Sequence, residues 1–313
     1  MALYLITGGA GFIGSSIAEA LLLAGERVRV LDDFSSGRRE NLASLPGPID
    51  LVEGTIGDPA TVSRALRGVE VVFHEAAIPS VARSVEDPVA SMRAGVYGTT
   101  VLLQGARHAG VRRIVFAASS AAYGDTPTLP KIETMTPAPL SPYAVSKLAC
   151  EHMMRVAAAL YAIETISLRY FNIFGPRQDP KSEYAAVIPK FFRAALDGQR
   201  PTVFGDGEQT RDFCYIENAV RANLLAAASP RKLMGDVVNI ACGDRTSLNE
   251  LLEHIGELVG VRLNPDYRPA RAGDIRDSLA DVTAAHELIG YTPGVDVREG
   301  LRRTHEAMVS AAL

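Results

Sequence analysis

The chain has 313 residues, of which 47% are hydrophobic, and its formal net charge is -4. That length and apolar content predict one large or two intimate domains with a substantial core. The mild negative charge and the absence of a dense Lys/Arg run argue against nucleic acid and anionic membrane as partners, and no apolar run approaches the length of a membrane span.

Taken in order, the chain opens on an apolar run, Leu3 to Ile6, then Thr7-Gly8-Gly9-Ala10-Gly11-Phe12-Ile13-Gly14, then a helix-like run from Phe12 to Ala24. Strand, glycine turn and helix in that order form a diphosphate site, because glycines let the backbone approach the ligand and the helix start offers unpaired N–H groups. Gly9-x-Gly11-x-x-Gly14 fits the dinucleotide fingerprint, and Gly8, Gly11 and Gly14 also fit a GxxGxxG spacing. Arg27 to Leu31 reads as a second strand, and Asp32 ends it. A carboxylate about 20 residues after the loop is placed to hold a ribose 2′-OH.

Ile49 to Glu53 reads as a third strand, Val69 to His74 as a fourth, and Pro88 to Ala109 as a long helix. A fifth strand, Ile114 to Ser119, a helix, Pro142 to Tyr161, and a sixth strand, Glu164 to Tyr170, follow. Such alternation predicts an α/β fold, a Rossmann-like doubly wound parallel sheet covered on both faces. His74-Glu75-Ala76-Ala77, Ser119-Ser120 and Phe171-Asn172 then sit at carboxyl ends of strands, where ligands bind. After Gly175-Pro176 prolines and glycines become denser and the elements shorter. Residues 1–175 are therefore expected to form the dinucleotide-binding domain, and 176–313 a smaller α/β substrate domain. Apolar segments such as 237–241 are expected to return to the main sheet.

Within the helix at Pro142, Tyr143 and Lys147 are four residues apart and share a face. A tyrosine is a poor base at neutral pH, but an ammonium beside it and an oxidised nicotinamide ring favour the phenolate, which can act as a general base. Ser119 supplies the hydroxyl expected beside it. Arg211 and Arg271 lie in the part that should close over the crevice, and arginine suits a bidentate grip on phosphate. Asn172 can offer its amide to the same phosphates. Cys150, Cys214 and Cys242 are far apart and match no metal spacing, and the six histidines show no HxxxH pairing, so no metal is expected. The first strand follows Met1-Ala2 directly, leaving no room for a secretory signal, and the cysteines read as thiols of a reducing, cytoplasmic setting.

With these motifs collected, the chain resembles the extended short-chain dehydrogenase/reductases over its whole length, and within them the UDP-sugar 4-epimerases. The carrying stretches are Thr7–Gly14, Ser119-Ser120-Ala121-Ala122-Tyr123-Gly124, Tyr143–Lys147, Leu168–Gln178, Gly205–Phe213 and Arg271–Asp274. The resemblance implies NAD as cofactor and Ser119, Tyr143 and Lys147 as catalytic residues. It implies cofactor contacts at Gly8, Gly11, Phe12, Ile13, Gly14, Asp32, Tyr143, Lys147 and Tyr170. The UDP-sugar is expected at Ser80, Ser119, Asn172, Val187, Thr202, Phe204, Arg211, Arg271, Asp274 and Ser278. Asn172, Arg211, Arg271 and Asp274 face the diphosphate part in this reading, and Tyr184–Pro189 and Thr202–Phe204 the uridine. Relatives commonly pair through the two long helices, here Pro88–Ala109 and Pro142–Tyr161, which implies a homodimer.

Two positions depart from the usual pattern. Thr55 stands where relatives usually have an adenine-contacting Asp, and Gly95 where they usually have an Asn. A 4,6-dehydratase needs an acid and a base beside the catalytic serine, and Ser120-Ala121 provides neither. A UDP-glucuronate 4-epimerase uses the same Ser/Tyr/Lys set and stays open, as does, at a lower rank, a non-catalytic NAD-binding sensor. Seven residues after Arg271, Ser278 falls where restricted relatives carry a bulky Tyr. A small residue there leaves room for an N-acetyl group. Ser80–Ser84 and Tyr184–Lys190 resemble the N-acetylhexosamine branch.

Overall fold

The computed structural model describes residues 2–178, 187–270 and 275–310. Strands β1 (Leu3–Thr7), β2 (Arg27–Asp32), β3 (Asp50–Glu53), β4 (Val71–His74), β5 (Arg113–Ser119) and β6 (Glu164–Tyr170) all run parallel. Further on, β7 (Asn172–Phe174) pairs with β10 (Phe213–Tyr215). The short strand β8 (Thr202–Phe204) pairs with β13 (Asp266–Arg268), and β9 (Thr210–Arg211) with β12 (Thr246–Ser247). Between them β11 (Met234–Ile240) runs back to the main sheet and pairs in parallel with β6.

The large sheet has the order β11-β6-β5-β4-β1-β2-β3. Chain order reverses at β1, so a crevice opens at the carboxyl ends of β1 and β4, where a doubly wound sheet binds its ligand. The central strands are apolar because both faces are covered. The first six residues of β5, for example, are all buried. Helices α1 (Phe12–Leu23), α2 (Arg39–Ala43), α3 (Pro59–Ala65), α4 (Val81–Glu86), α5 (Pro88–Met92), α6 (Gly98–Ala109), α7 (Pro142–Tyr161), α8 (Val187–Leu196), α9 (Ile216–Ala228) and α10 (Leu248–Val259) follow in order. One core layer unites α1 and α9 with the sheet and reaches into the smaller lobe through Phe213, Val203 and Leu251. The other lies under α3, α6 and α7.

Two local features position the site. The helix expected over Pro88–Ala109 is continuous but carries a π-turn at Arg93–Tyr97. Gly95 is its central residue and Gly98 follows it, and both are packed tightly: a Cβ on Gly98 would lie 2.6 Å from Ile56, and one on Gly95 3.2 Å from Ser146 of α7. The helix thus lies against α7, and an inserted residue in such a turn often marks a functional site. Helix α7 starts at a defined residue because Ser141 caps it, accepting from Ala144 N at 3.1 Å, with Pro142 at the first helical position. Tyr143 and Lys147 are therefore on its first two turns.

Candidate active site

The glycine loop is shaped by close backbone approach. Gly8 has φ +69, and a Cβ there would meet Ala76 N at 2.8 Å. A Cβ on Gly14 would sit 2.8 Å from Gly9 Cα and nearer still to Gly8 O. Gly11 stands at the start of α1 with no side chain capping the helix, so its first N–H groups are left to the crevice. At the neighbouring strand end, Asp32 accepts from Ala10 N at 2.9 Å and Phe34 N at 2.8 Å. Burial raises its pKa against the lowering effect of those two N–H groups. Gly8, Gly11, Phe12, Ile13, Gly14 and Asp32 line one continuous cleft. A loop that admits no Cβ, an uncapped helix start and a carboxylate one strand over fit a dinucleotide. Thr55 lines the same cleft, and its hydroxyl accepts from Gly57 N at 3.2 Å, holding a turn.

On the other side of the loop lie the reactive groups. Ser119 ends β5 and its Oγ accepts from Ala121 N at 3.2 Å, so it also caps the short turn Ser120–Tyr123. Tyr143 is half-buried. Lys147 is 6% exposed, and its Nζ donates to Ala117 O at 2.6 Å and lies 5.9 Å from the centre of the Tyr143 ring. That carbonyl bond anchors the ammonium between β5 and the tyrosine. Tyr143, Lys147, Ser146, Gly95 and Thr99 border a small recess that also touches Ala76 and Ala77 of the dinucleotide cleft.

Behind these groups, His74 bridges Thr7 Oγ1 (2.8 Å) and Thr99 Oγ1 (2.9 Å), which ties β1 and β4 to α6. Burial, helped by the Lys147 charge, pushes its pKa down to about 3, so the ring is neutral. The Tyr170 hydroxyl lies 3.0 Å from Glu75 Oε1 and accepts from Asn223 Nδ2 at 2.7 Å. Burial lifts the Glu75 carboxyl to about 7, against the opposing pull of Lys147 and Tyr170.

A second cavity opens in the smaller lobe. Asn172, Val187, Thr202, Phe204 and Arg211 all line it, as does Arg268. Asn172 Nδ2 donates to Asp212 O at 3.0 Å. Arg211 is braced by the carbonyls of Thr210 and Arg276, both at 2.8 Å from Nη1. Ser278 N donates to Thr210 O at 3.1 Å, so Ser278 runs beside the strand that carries Arg211. Ser80 is 8% exposed and caps α4, accepting from Arg83 N at 3.1 Å. Arg271, Asp274 and Tyr184 lie outside the described residues.

Sequence reasoning placed Glu75 at a ligand-binding strand end without giving it a role, and passed over Asn223 and Asp212. Asp212 accepts from Cys242 N (2.9 Å), Gly243 N (3.1 Å) and Ala280 N (3.1 Å), pinning the segments around Arg211 and Ser278 together. Burial lifts its carboxyl to about 7. Its only sequence signal is its place directly after Arg211. Among the described residues no group of His, Cys, Asp and Glu is arranged to hold a metal ion, and no helix is long and apolar enough to cross a membrane.

The profile of the NAD dependent epimerase/dehydratase family matches residues 4–241. A UDP-glucose 4-epimerase of Mycolicibacterium smegmatis is 40% identical over 306 residues, covering 96% of this chain and 97% of the relative. Among solved structures, UDP-glucose 4-epimerase of Thermotoga maritima with UDP-glucose superposes with a TM-score of 0.94 at 38% identity, covering 99% of this chain and 100% of that one. UDP-N-acetylglucosamine 4-epimerase of Methanobrevibacter ruminantium, in complex with UDP-N-acetylmuramic acid, gives 0.93 at 36% identity, with 99% of each chain covered.

Proposed function

The chain belongs to the NAD dependent epimerase/dehydratase family, and from that premise we propose that it interconverts UDP-glucose with UDP-galactose and UDP-GlcNAc with UDP-GalNAc. The observation that carries this reading is that the reactive groups border the glycine-loop cleft, while Asn172 of the lobe cavity follows two residues after Tyr170, the β6 partner of Ser119. The cleft at Gly8–Gly14 suits a dinucleotide, the lobe cavity at Asn172 and Arg211 suits a nucleoside diphosphate, and Ser119, Tyr143 and Lys147 come from the sheet and helix that border the first.

Gly8, Gly11, Gly14 and Asp32 hold NAD in this account, which when bound supplies a hydride acceptor and donor for sugar C4. Tyr143 takes the proton of the 4-OH as general base, and returns it after the sugar has turned over. Lys147, anchored on Ala117 O, holds its ammonium 5.9 Å from the centre of the Tyr143 ring and so fixes the surroundings of that hydroxyl. Ser119 hydrogen-bonds the oxygen at C4 through both half-reactions. Arg211 and Asn172 hold the diphosphate while the 4-keto sugar swings about its link to it. Ser278 leaves room for a 2-acetamido group where a tyrosine would fill the space.

Helix α7 carries exposed apolar side chains, Val145, Val156 and Leu160 among them. We assign it to a homodimer contact, for which light scattering of the eluted protein is the check. The substrate reading is tested by NMR of product mixtures from a panel of UDP-sugars with NAD present. It expects 4-epimers from the glucose and N-acetylglucosamine forms. Conversion of UDP-glucuronate alone would replace it with the uronate reading, and no conversion of any sugar would favour a binding module.

A further inference from the structure

Strand β4 ends in a carboxylic acid that the mechanism above does not use. Glu75 directly follows His74 and lines the dinucleotide cleft with Ala76 and Ala77. Its Oε1 is 3.0 Å from the Tyr170 hydroxyl. That hydroxyl already accepts from Asn223 Nδ2, so its own proton is directed to Glu75. Asn223 is fully buried and held in turn by a bond from Nδ2 to Ala219 O at 2.9 Å. Lys147 acts on the same carboxyl from α7. Residues of β4, β6, α7 and α9 thus converge on one acid that faces the cleft. A carboxylate half-buried in the wall of a cleft is costly unless positive charge comes to it. The nearest ammonium, Lys147, is also committed to Ala117 O.

One part of NAD changes charge in the reaction: the nicotinamide is cationic when oxidised and neutral when reduced. In the sheet order, Asp32 on β2 and the reactive groups of β5 and α7 lie on opposite sides of β1. Glu75, directly after β4, is on the reactive side. A dinucleotide with its ribose at Asp32 must cross the glycine loop toward β4 and β5 for hydride to reach a sugar at Ser119 and Tyr143.

We propose that Glu75 is a positioning residue for cofactor charge: its carboxylate, fixed by Tyr170 at the cleft, favours the oxidised, cationic nicotinamide over the neutral reduced one. The proposal rests on reading this cleft as the NAD site. Favouring the oxidised form draws the bound 4-keto sugar toward re-reduction, so that less of it escapes.

The test is calorimetric titration of the nucleotide-free full chain with NAD and with NADH at pH 8, where the carboxyl is ionised. Glu75→Gln keeps the volume and a hydrogen-bond acceptor for Tyr170. It is expected to lower the ratio of the NADH Kd to the NAD Kd on the order of tenfold, the scale of one charge acting over several ångströms in a protein interior. A merely structural role weakens both nucleotides alike, and an unchanged ratio overturns the proposal. A second measurement needs no variant: in wild type the ratio rises from pH 6 to pH 8.5 as Glu75 ionises. Lys147 of α7 and Tyr170 of β6 act on it, and His74 of β4 precedes it in the chain. The ring of His74 is already neutral there, and burial pushes the Tyr170 phenol up, out of this range. A flat ratio overturns the proposal even where the variant misfolds. If wild type binds neither nucleotide, the cofactor reading falls and this one with it.

Discussion

Replacing Gly14 by Ala tests the cofactor cradle at its tightest point. In the middle of an ordinary helix the change stabilises by about 1 kcal/mol. Here the new methyl would lie 2.8 Å from Gly9 Cα, against 3.4 Å for ordinary contact, and closer still to Gly8 O. Both neighbours are backbone, so no side chain can swing aside, and the loop must move by about 0.6 Å from the first contact alone. Overpacking of this kind costs roughly 1–3 kcal/mol, which the helix gain partly offsets, for a net loss of about 0–2 kcal/mol in folding. Binding has no such compensation. Displacing one backbone N–H from a phosphate forfeits a charge-assisted bond of about 1.5–3 kcal/mol, or roughly 10–100-fold in Kd. Calorimetry of the nucleotide-free variant with NAD, paired with a thermal melt, reads both quantities. A Gly14→Ala protein that binds NAD within threefold of wild type would refute the assignment of this loop to the diphosphate.

Tyr143→Phe is expected to lose about 10²–10⁴-fold in kcat while UDP-sugar binding, measured by calorimetry, persists. Asp32 should make NAD bind more tightly than NADP, since a carboxylate accepts from a 2′-OH and repels a 2′-phosphate; tighter NADP binding would refute that role. Ser278→Tyr should abolish turnover of the N-acetyl sugars and spare UDP-glucose, and equal loss of both would displace the gate from this residue. Burial raises the Glu75 carboxyl from 4.5 to about 7. The folded chain therefore holds that proton more tightly than the unfolded one, so the group's contribution to stability is complete below pH 4.5 and is lost as pH rises through about 7. Urea melts of the nucleotide-free protein at pH 5 and pH 7.5 should show wild type losing roughly 2 kcal/mol relative to Glu75→Gln.

Much of the framework is legible in the chain because it is local. The glycine loop is recognisable from its own residues and the strand before it. Tyr143 and Lys147 announce themselves by a four-residue spacing that places them on one helix face. Asp32 is found by counting from the loop. What stays hidden depends on residues brought together across the sheet. Glu75 and Tyr170 are 95 positions apart and Tyr170 and Asn223 another 53. No periodicity connects them. The π-turn inside the long helix is centred on Gly95 with Gly98 just after it, but the close neighbours that leave no room for a side chain there, Ser146 and Ile56, come from distant parts of the chain. Ser80 and Ser119 illustrate a third case: a hydroxyl that caps a turn and one that meets a substrate look alike in sequence, and both of these cap.

The most direct measurement uses UDP-glucose deuterated at C4, followed by NMR with NAD present. Oxidation and re-reduction at C4 within one closed site predicts UDP-galactose that keeps its deuterium at C4. Conversion with loss of the label to solvent, or no conversion while the folded protein binds both NAD and the UDP-sugar, would contradict the account.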